Sequence, residues 1–347
     1  MPVTIKDIAK IAGVSHTTVS RALHNSPALA PDTINRIKKI ANEQGYLPSA
    51  VARGLKTRQS RALGVIVSSI ADPFWGEVLQ GIDDTLHAAG YSLIVAASRR
   101  DNQREKEIVR LMGERRVDGI ILCSPPFNAE HGRSLQEYGL PIVVVNNQSA
   151  EDFLYSIYND NEYGIRQAVR HLVDLGHRRI AYLGNRQGGR TTQEREKGYR
   201  AEMRLAGLPV PDDYICVGPD STPQGGLAGA QHLLALPERP TGIVCYNDHM
   251  AIGVYSALYH AGLRVPQDTS VVGFDDIFIS AYLIPPLTTF CQPMYHLGTE
   301  AANLLLYMLE QHAKDKTPPV PQSIRLRGEL LVRASTMPPG DHVSSSL

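Results

Sequence analysis

Five hydrogen-bonding side chains near the N-terminus carry the first chemical signal in this sequence. His16, Thr17 and Thr18 stand at the N-terminal end of a short helical pattern, and Ser20 and Arg21 follow one turn later. Val14, Val19 and Leu23 take the inward positions of the same pattern, which leaves His16, Thr17, Ser20 and Arg21 outward. A stripe of donors and acceptors on a short helix suits hydrogen bonding to base edges rather than bond breaking.

The elements that hold this stripe are also visible. Ile5, Ile8, Ala9 and Ala12 recur at helical intervals, and Thr4 followed by Asp7 resembles a capping box. Gly13 allows a tight turn, and Ser15 can cap the next helix. A third amphipathic helix, about 32–45, supplies Ile34, Ile37, Ile40 and Ala41 to a small core, with Ala30 a poor cap and Pro31 well placed in the first turn. Segment 46–56 then offers a helix of barely two turns from Pro48 and Ser49, too short to persist alone.

Charge divides the chain in the same place. Residues 1–62 hold ten Lys or Arg against three Asp or Glu, a formal +7, and the remainder holds 25 against 32. A basic head beside a helix-turn-helix is the electrostatic footprint of a nucleic-acid reader.

Thr4-Ile-Lys-Asp-Ile-Ala, Gly13-Val-Ser, Thr18-Val-Ser-Arg21, Gly45-Tyr-x-Pro-x-Ala and Ala52-Arg-x-Leu55 together resemble the N-terminal pattern of the LacI/GalR family of bacterial transcription repressors. The resemblance implies a DNA-contacting set of Thr4, Ser15, His16, Thr17, Thr18, Ser20, Arg21 and Asn25 in the head, and of Ser49, Ala52, Arg53, Leu55 and Lys56 in a hinge. Within that set it implies base selection by His16 and Thr17, a guanine contact by Arg21, and a minor-groove wedge at Leu55. Gly54 departs from the pattern and lowers helix propensity by about 1 kcal/mol relative to alanine.

After Gln59-Ser-Arg61, short apolar strands alternate with amphipathic helices. Strands are expected near 63–67, 93–97, 119–122, 142–145, 180–183, 243–246 and 271–274, with helices at about 74–89 and 102–115. Such alternation predicts parallel sheets covered by helices on both faces. The expected architecture is an all-α helix-turn-helix head (1–47), a hinge and linker (48–61), an α/β core of two parallel-sheet subdomains (62–340) and a tail (341–347). The resemblance implies a periplasmic-binding-protein-like core with chain crossings near Asp160, Phe290 and Ser323, dividing it into 62–160 with 291–323 and 161–290 with 324–340.

By the same resemblance a small sugar-like effector sits between the subdomains, held by Asp72, Phe74, Trp75, Asn146, Asn147, Asp160, Arg195, Asn247 and Asp275. Asp248 matches a further polar contact, with a helix-capping role left open. Trp75, the only tryptophan, is expected to offer an aromatic face to a sugar ring. Asn146-Asn147 replaces an acidic–basic pair of many sugar-responsive relatives, and Ser221-Thr222 replaces a stacking aromatic, which disfavours purines.

The four cysteines lack paired spacing and are expected as buried free thiols, and His171 and His177 as surface or capping residues. No cofactor, metal or catalytic residue is expected, since the chain lacks a phosphate loop, a GxGxxG and a GxSxG elbow. No apolar run approaches ~20 residues and no export signal is apparent, so a cytoplasmic protein without membrane contact is expected. The implied function is repression at a palindromic double-stranded operator by a homodimer under allosteric control. A corepressor-dependent regulator and a transport-type sugar-binding protein are the alternatives. The tail has no leucine heptads to build a tetramer.

Overall fold

The computed structural model describes residues 3–46, 59–123, 139–146, 155–313, 320 and 322–340. The chain divides into a head, Met1–Arg61, and a core, Ala62–Leu347.

Helix α1 (Ile5–Ala12) begins with both halves of the capping box: Thr4 N–H donates to Asp7 Oδ2 at 2.9 Å, and Asp7 N–H to Thr4 Oγ1 at 3.4 Å. Gly13 at φ 65° ends the helix, and α2 (His16–Leu23) starts two residues later with Thr18 N–H donating to Ser15 Oγ at 3.1 Å. Helix α3 (Pro31–Glu43) has no side-chain cap at Ala30 and relies on Pro31 in its first turn. Ile8, Val19, Ala22 and Ile37 are fully buried between the three helices, with Val14, Leu23, Ile34 and Ile40 packed around them.

The core opens with β1 (Ala62–Val67), α4 (Pro73–Ala88), β2 (Ser92–Ala97), α5 (Asn102–Glu114), β3 (Gly119–Cys123), β4 (Ile142–Val145) and β5 (Tyr155–Asn159). It continues with α6 (Asn161–Asp174), β6 (Ile180–Asn185), α7 (Gly189–Leu205), β7 (Ile215–Gly218), α8 (Pro223–Leu234), β8 (Gly242–Cys245), α9 (Asp248–His260), β9 (Ser270–Asp275) and β10 (Thr288–Cys291). Helix α10 (Met294–Ala313), β11 (Gln322–Leu326) and β12 (Glu329–Leu331) complete it. Two six-stranded sheets result, ordered β11-β5-β4-β3-β1-β2 and β12-β10-β9-β8-β6-β7.

Among the described residues all strand pairings are parallel except β12 with β10. The exception follows from the chain's path. A strand that ends parallel in one lobe and runs on without a reversing helix enters the other lobe against its neighbours.

The chain passes between lobes after Asn159, after Cys291 and between Leu326 and Glu329. Ser323, expected at the third crossing, instead lies within β11 and shares a 3.1 Å hydrogen bond with Ser156. Strands β5 and β11 carry polar residues through their length, so no apolar run marked them, and β7 is only four residues long.

The histidine expectation is corrected. His177 is buried, with Nδ1 2.9 Å from Thr241 Oγ1 and Nε2 2.9 Å from the Met337 carbonyl, because the C-terminal segment folds back over the end of α6. His171 is half-buried beside it, 2.9 Å from Thr336 Oγ1. Cys123 and Cys245 are buried free thiols as expected, whereas Cys216 and Cys291 are only half-buried. Among the described residues no His, Cys, Asp or Glu cluster is placed to hold a metal ion, and no helix is long and apolar enough to cross a membrane.

Candidate functional site

In the head, His16, Thr17 and Arg21 are exposed on α2, and Ser20 and Thr18 are half-buried. Three other members of the expected DNA-contacting set are engaged within the protein. Thr4 and Ser15 cap their helices, and Thr18 Oγ1 lies 2.9 Å from Ser15 Oγ. Asn25, in the left-handed region at φ 51°, accepts from Lys38 Nζ at 2.6 Å. Ser49, Ala52, Arg53, Leu55 and Lys56 lie outside the described residues, as does Asn147 of the effector set.

In the core, the carboxyl ends of β6, β8 and β9 stand side by side in the second sheet, the position where open α/β sheets bind small molecules. Arg195 projects from α7 into this region and is only 4% exposed. Its guanidinium lies 3.8 Å from the Phe274 ring centroid and 4.5 Å from that of Tyr246. Nε donates to Asn161 Oδ1 at 3.0 Å, and Nη1 donates to the Tyr246 carbonyl. Among the described residues no carboxylate comes within ion-pair distance of it, an expensive state for a buried charge.

Asp275 ends β9 with φ 133°, followed by Asp276 at φ 63°. Two successive non-glycine residues in this region cost about 1–3 kcal/mol each, strain that the surrounding structure must offset. Asp275 accepts from Gln292 Nε2, and Gln292 Oε1 accepts from Asn159 Nδ2. Residues from two crossings are thereby tied to one carboxylate. Burial pushes the Asp275 carboxyl well above the usual carboxylate range; Arg195 opposes that shift, and Asp248 and Asp72 add repulsion. Two buried atoms near these strand ends, Asn159 Oδ1 and Asn185 Nδ2, have no hydrogen-bond partner among the described residues. Donors and acceptors left in this state are what a hydroxyl-rich ligand satisfies.

Other expected effector contacts have different employment. Asp72 caps α4 by accepting from Phe74 N–H at 3.1 Å. Phe74 and Trp75 pack edge-to-face at 4.8 Å inside the first lobe, and Trp75 Nε1 donates to Ser68 Oγ at 3.0 Å. Trp75 is 3% exposed, so its expected stacking face is turned into the core: an aromatic after a strand can close over the sheet as readily as face a ligand.

Asn247 caps α9 through Met250 N–H at 2.9 Å and donates to the Ser221 carbonyl at 3.2 Å. Asp248 is fully buried and accepts from Ile277 N–H, Ser280 Oγ and Thr289 Oγ1 at 3.0, 2.6 and 2.6 Å, which fixes the loop after β9 rather than a ligand. Asp160 caps α6 and binds Arg327 Nε at 2.9 Å, joining the first crossing to the third. Asn146 accepts from Asn159 N–H at 3.2 Å.

Arg195, on α7, lies over Phe274, the neighbour of Asp275 at the end of β9, and Asn159, Asn161, Tyr246 and Gln292 join them through hydrogen bonds without having been singled out, with Asn185 at the end of β6. Their only sequence signal is position: each follows or ends a strand or lies at a crossing.

Residues 4–49 match the family described as bacterial regulatory proteins, lacI family, and residues 169–336 match a periplasmic binding protein-like domain. The chain is 38% identical over 339 residues to the HTH-type transcriptional repressor CytR of Escherichia coli (strain K12), with 96% of each chain covered. The ribose operon repressor of the same strain is 35% identical over 309 residues, which cover 89% of this chain and 93% of the repressor. Among solved structures, the lac repressor dimer bound to operator and the anti-inducer ONPF is similar with a TM-score of 0.86 and 29% identity, over 97% of this chain and 100% of that one.

Proposed function

Because the chain belongs to the lacI family of bacterial regulatory proteins, we propose that it represses transcription from a palindromic operator, with DNA affinity set by a small sugar-like effector in the core cleft. The observation that carries the effector half of this reading is the buried Arg195, which forms no direct ion pair among the described residues, near the strained Asp275. A guanidinium and a carboxylate at one site grip neighbouring hydroxyls of a ring from the acceptor and the donor side. Effector exchange at the lobe boundary changes how the crossings sit, and the coupling to DNA is reciprocal.

His16, Thr17 and Arg21 read base edges in the major groove, and Ser49, Ala52, Arg53, Leu55 and Lys56 engage the operator centre. The chain works as a homodimer, as a two-fold operator requires. The cleft binds without turnover, and the protein acts in the cytoplasm, where its operator is.

Selection of bound duplexes from a random pool, followed by titration with pentoses, hexoses, disaccharides and sugar acids, tests the reading. The expected result is one palindrome, released by one sugar class. Arg21→Ala is expected to cost about 1–3 kcal/mol on that palindrome and to relax preference at one base pair. Recovery of no common sequence refutes repression, and operator affinity unmoved by every ligand refutes the effector assignment.

A further inference from the structure

We propose that the core carries a second ligand site, for a small phosphate-bearing anion, on the face of the crossing segments bounded by α6, α7 and the end of β11. A cavity of about 560 Å³ opens there; Arg195, Asp275, Asn247 and Trp75 do not line it, whereas Asn159, Asp160 and Asn161 of the first crossing do.

The charges of its wall do not balance. Asp160 serves two guanidiniums, Arg327 at 2.9 Å and Arg325 at 3.9 Å. Glu202, behind the wall, likewise serves Arg166 at 2.9 Å and Arg170 at 2.7 Å. Lys197 pairs with Glu162 at 2.7 Å, and the remaining carboxylate of the wall, Glu194, is held by Arg190 at 2.8 Å. Among the described residues, five cations (Arg166, Arg170, Lys197, Arg325 and Arg327) line the cavity against three carboxylates (Asp160, Glu162 and Glu194), with Glu202 and Arg190 just outside the lining, in a core whose overall charge is negative. An anion entering here meets an excess of two positive charges in a concave space, where the field is stronger than on an open surface.

Two of those cations are also oriented. Arg325 lies over the Tyr158 ring at 5.2 Å and donates to its hydroxyl at 3.3 Å, and Arg327 lies over the Tyr163 ring at 4.8 Å. A guanidinium held over a ring keeps edge N–H groups for bidentate bonds to an oxyanion, and less entropy is lost on binding. Their side chains remain 54% and 63% exposed, open to a ligand from solvent. Phosphate fits this arrangement because it carries close to two charges near neutrality and offers three oxygens. The site also touches the cleft network: Asn161 donates to Glu194 at 2.9 Å and accepts from Arg195 at 3.0 Å. Any coupling through Asn161 rests on the effector reading above; anion binding does not.

Calorimetry of the full chain with inorganic pyrophosphate, in chloride buffer at fixed ionic strength, tests the site. One saturable event per chain is expected, weakened about tenfold or more by Arg325→Gln and by Lys197→Gln, since each removes a charge-assisted contact. Arg21→Gln, in the basic head, is the control and is expected to leave the event unchanged. Both core variants replace exposed side chains, and Lys197→Gln decides the matter if Arg325→Gln fails to fold. Absence of a saturable event overturns the proposal, as does an event that Arg21→Gln abolishes or that both core variants leave intact.

Discussion

Asp275 shows what single residues can and cannot reveal in a sequence. Its position after an apolar strand marks it as a strand-end carboxylate, and resemblance pairs it with Arg195. Its partners Gln292 and Asn159 stayed hidden because they lie where the chain leaves one sheet for the other and hydrophobic periodicity stops. Trp75 failed in the opposite way: its type suggested a ligand platform, and only packing shows the indole bonded to Ser68 inside the lobe. The raised pKa of Asp275 yields a prediction with a definite sign. Effector hydroxyls that donate to the carboxylate stabilise its ionised form, so binding releases a proton wherever the empty site is protonated. Effector affinity is therefore full above the raised pKa of the empty site and falls with acidification below it, by up to about tenfold per pH unit. Asp275→Asn, which cannot titrate, is expected to bind more weakly and to flatten that pH profile. Calorimetric effector titrations from neutral to acid pH provide the measurement, and an unchanged slope in the variant removes Asp275 from the effector contacts.

In the head, helices were legible where a cap announced them. Thr4 with Asp7, Ser15, and Pro31 all sit at observed helix starts, because capping is local chemistry that a short stretch of sequence contains. The way helices cross was not legible. Gly81 in α4 and Gly298 in α10 look like helix-weakening residues, yet they are where the two helices approach backbone to backbone. A Cβ at Gly81 would lie 2.1 Å from the Tyr295 carbonyl oxygen, and one at Gly298 would lie 2.0 Å from that of Val78. Two magnitudes compete when Gly298 becomes alanine. Helix propensity favours the change by about 1 kcal/mol. Forcing the helices apart costs about 1–3 kcal/mol or more, because each opposing atom is backbone and cannot rotate away. Gly298→Ala is therefore expected to destabilise the core, read as a lower urea midpoint at unchanged m-value. A midpoint at or above that of the unchanged protein shows that the crossing relaxes at little cost.

At the scale of the whole chain, helix-covered parallel sheets followed from alternation, since short apolar strands separated by amphipathic helices leave few other ways to bury both faces of a sheet, while the division into two lobes came with the family resemblance. The third crossing falls a few residues beyond Ser323, between β11 and β12, because no helix or long loop in the sequence marks where the chain changes sheets. The surface needed for dimerisation was equally hidden, because apolar residues in a loop look like core until the fold leaves them outside. Phe278, Tyr282 and Ile284 are 75%, 65% and 93% exposed, and Tyr259 on α9 is 81% exposed. They belong to one region: Phe278 and Tyr282 pack at 4.9 Å, and Tyr255, one turn before Tyr259, donates to the Pro285 carbonyl at 2.9 Å. Rings and branched side chains in this concentration are more than a monomer's scattered surface residues and suit an interface core. The patch also surrounds the loop that buried Asp248 fixes through Ile277 and Ser280, so its shape is set before any partner arrives. Placing a carboxylate at Tyr282 or Ile284 sets like charges against each other across a two-fold axis without disturbing the lobe's interior. Tyr282→Asp with Ile284→Asp is expected to sediment as a monomer, to retain effector binding by calorimetry, and to lose most operator affinity because two half-sites are no longer read by one molecule. A double variant that remains dimeric moves the interface elsewhere; one that is monomeric yet holds the operator at full affinity breaks the link between dimerisation and DNA reading.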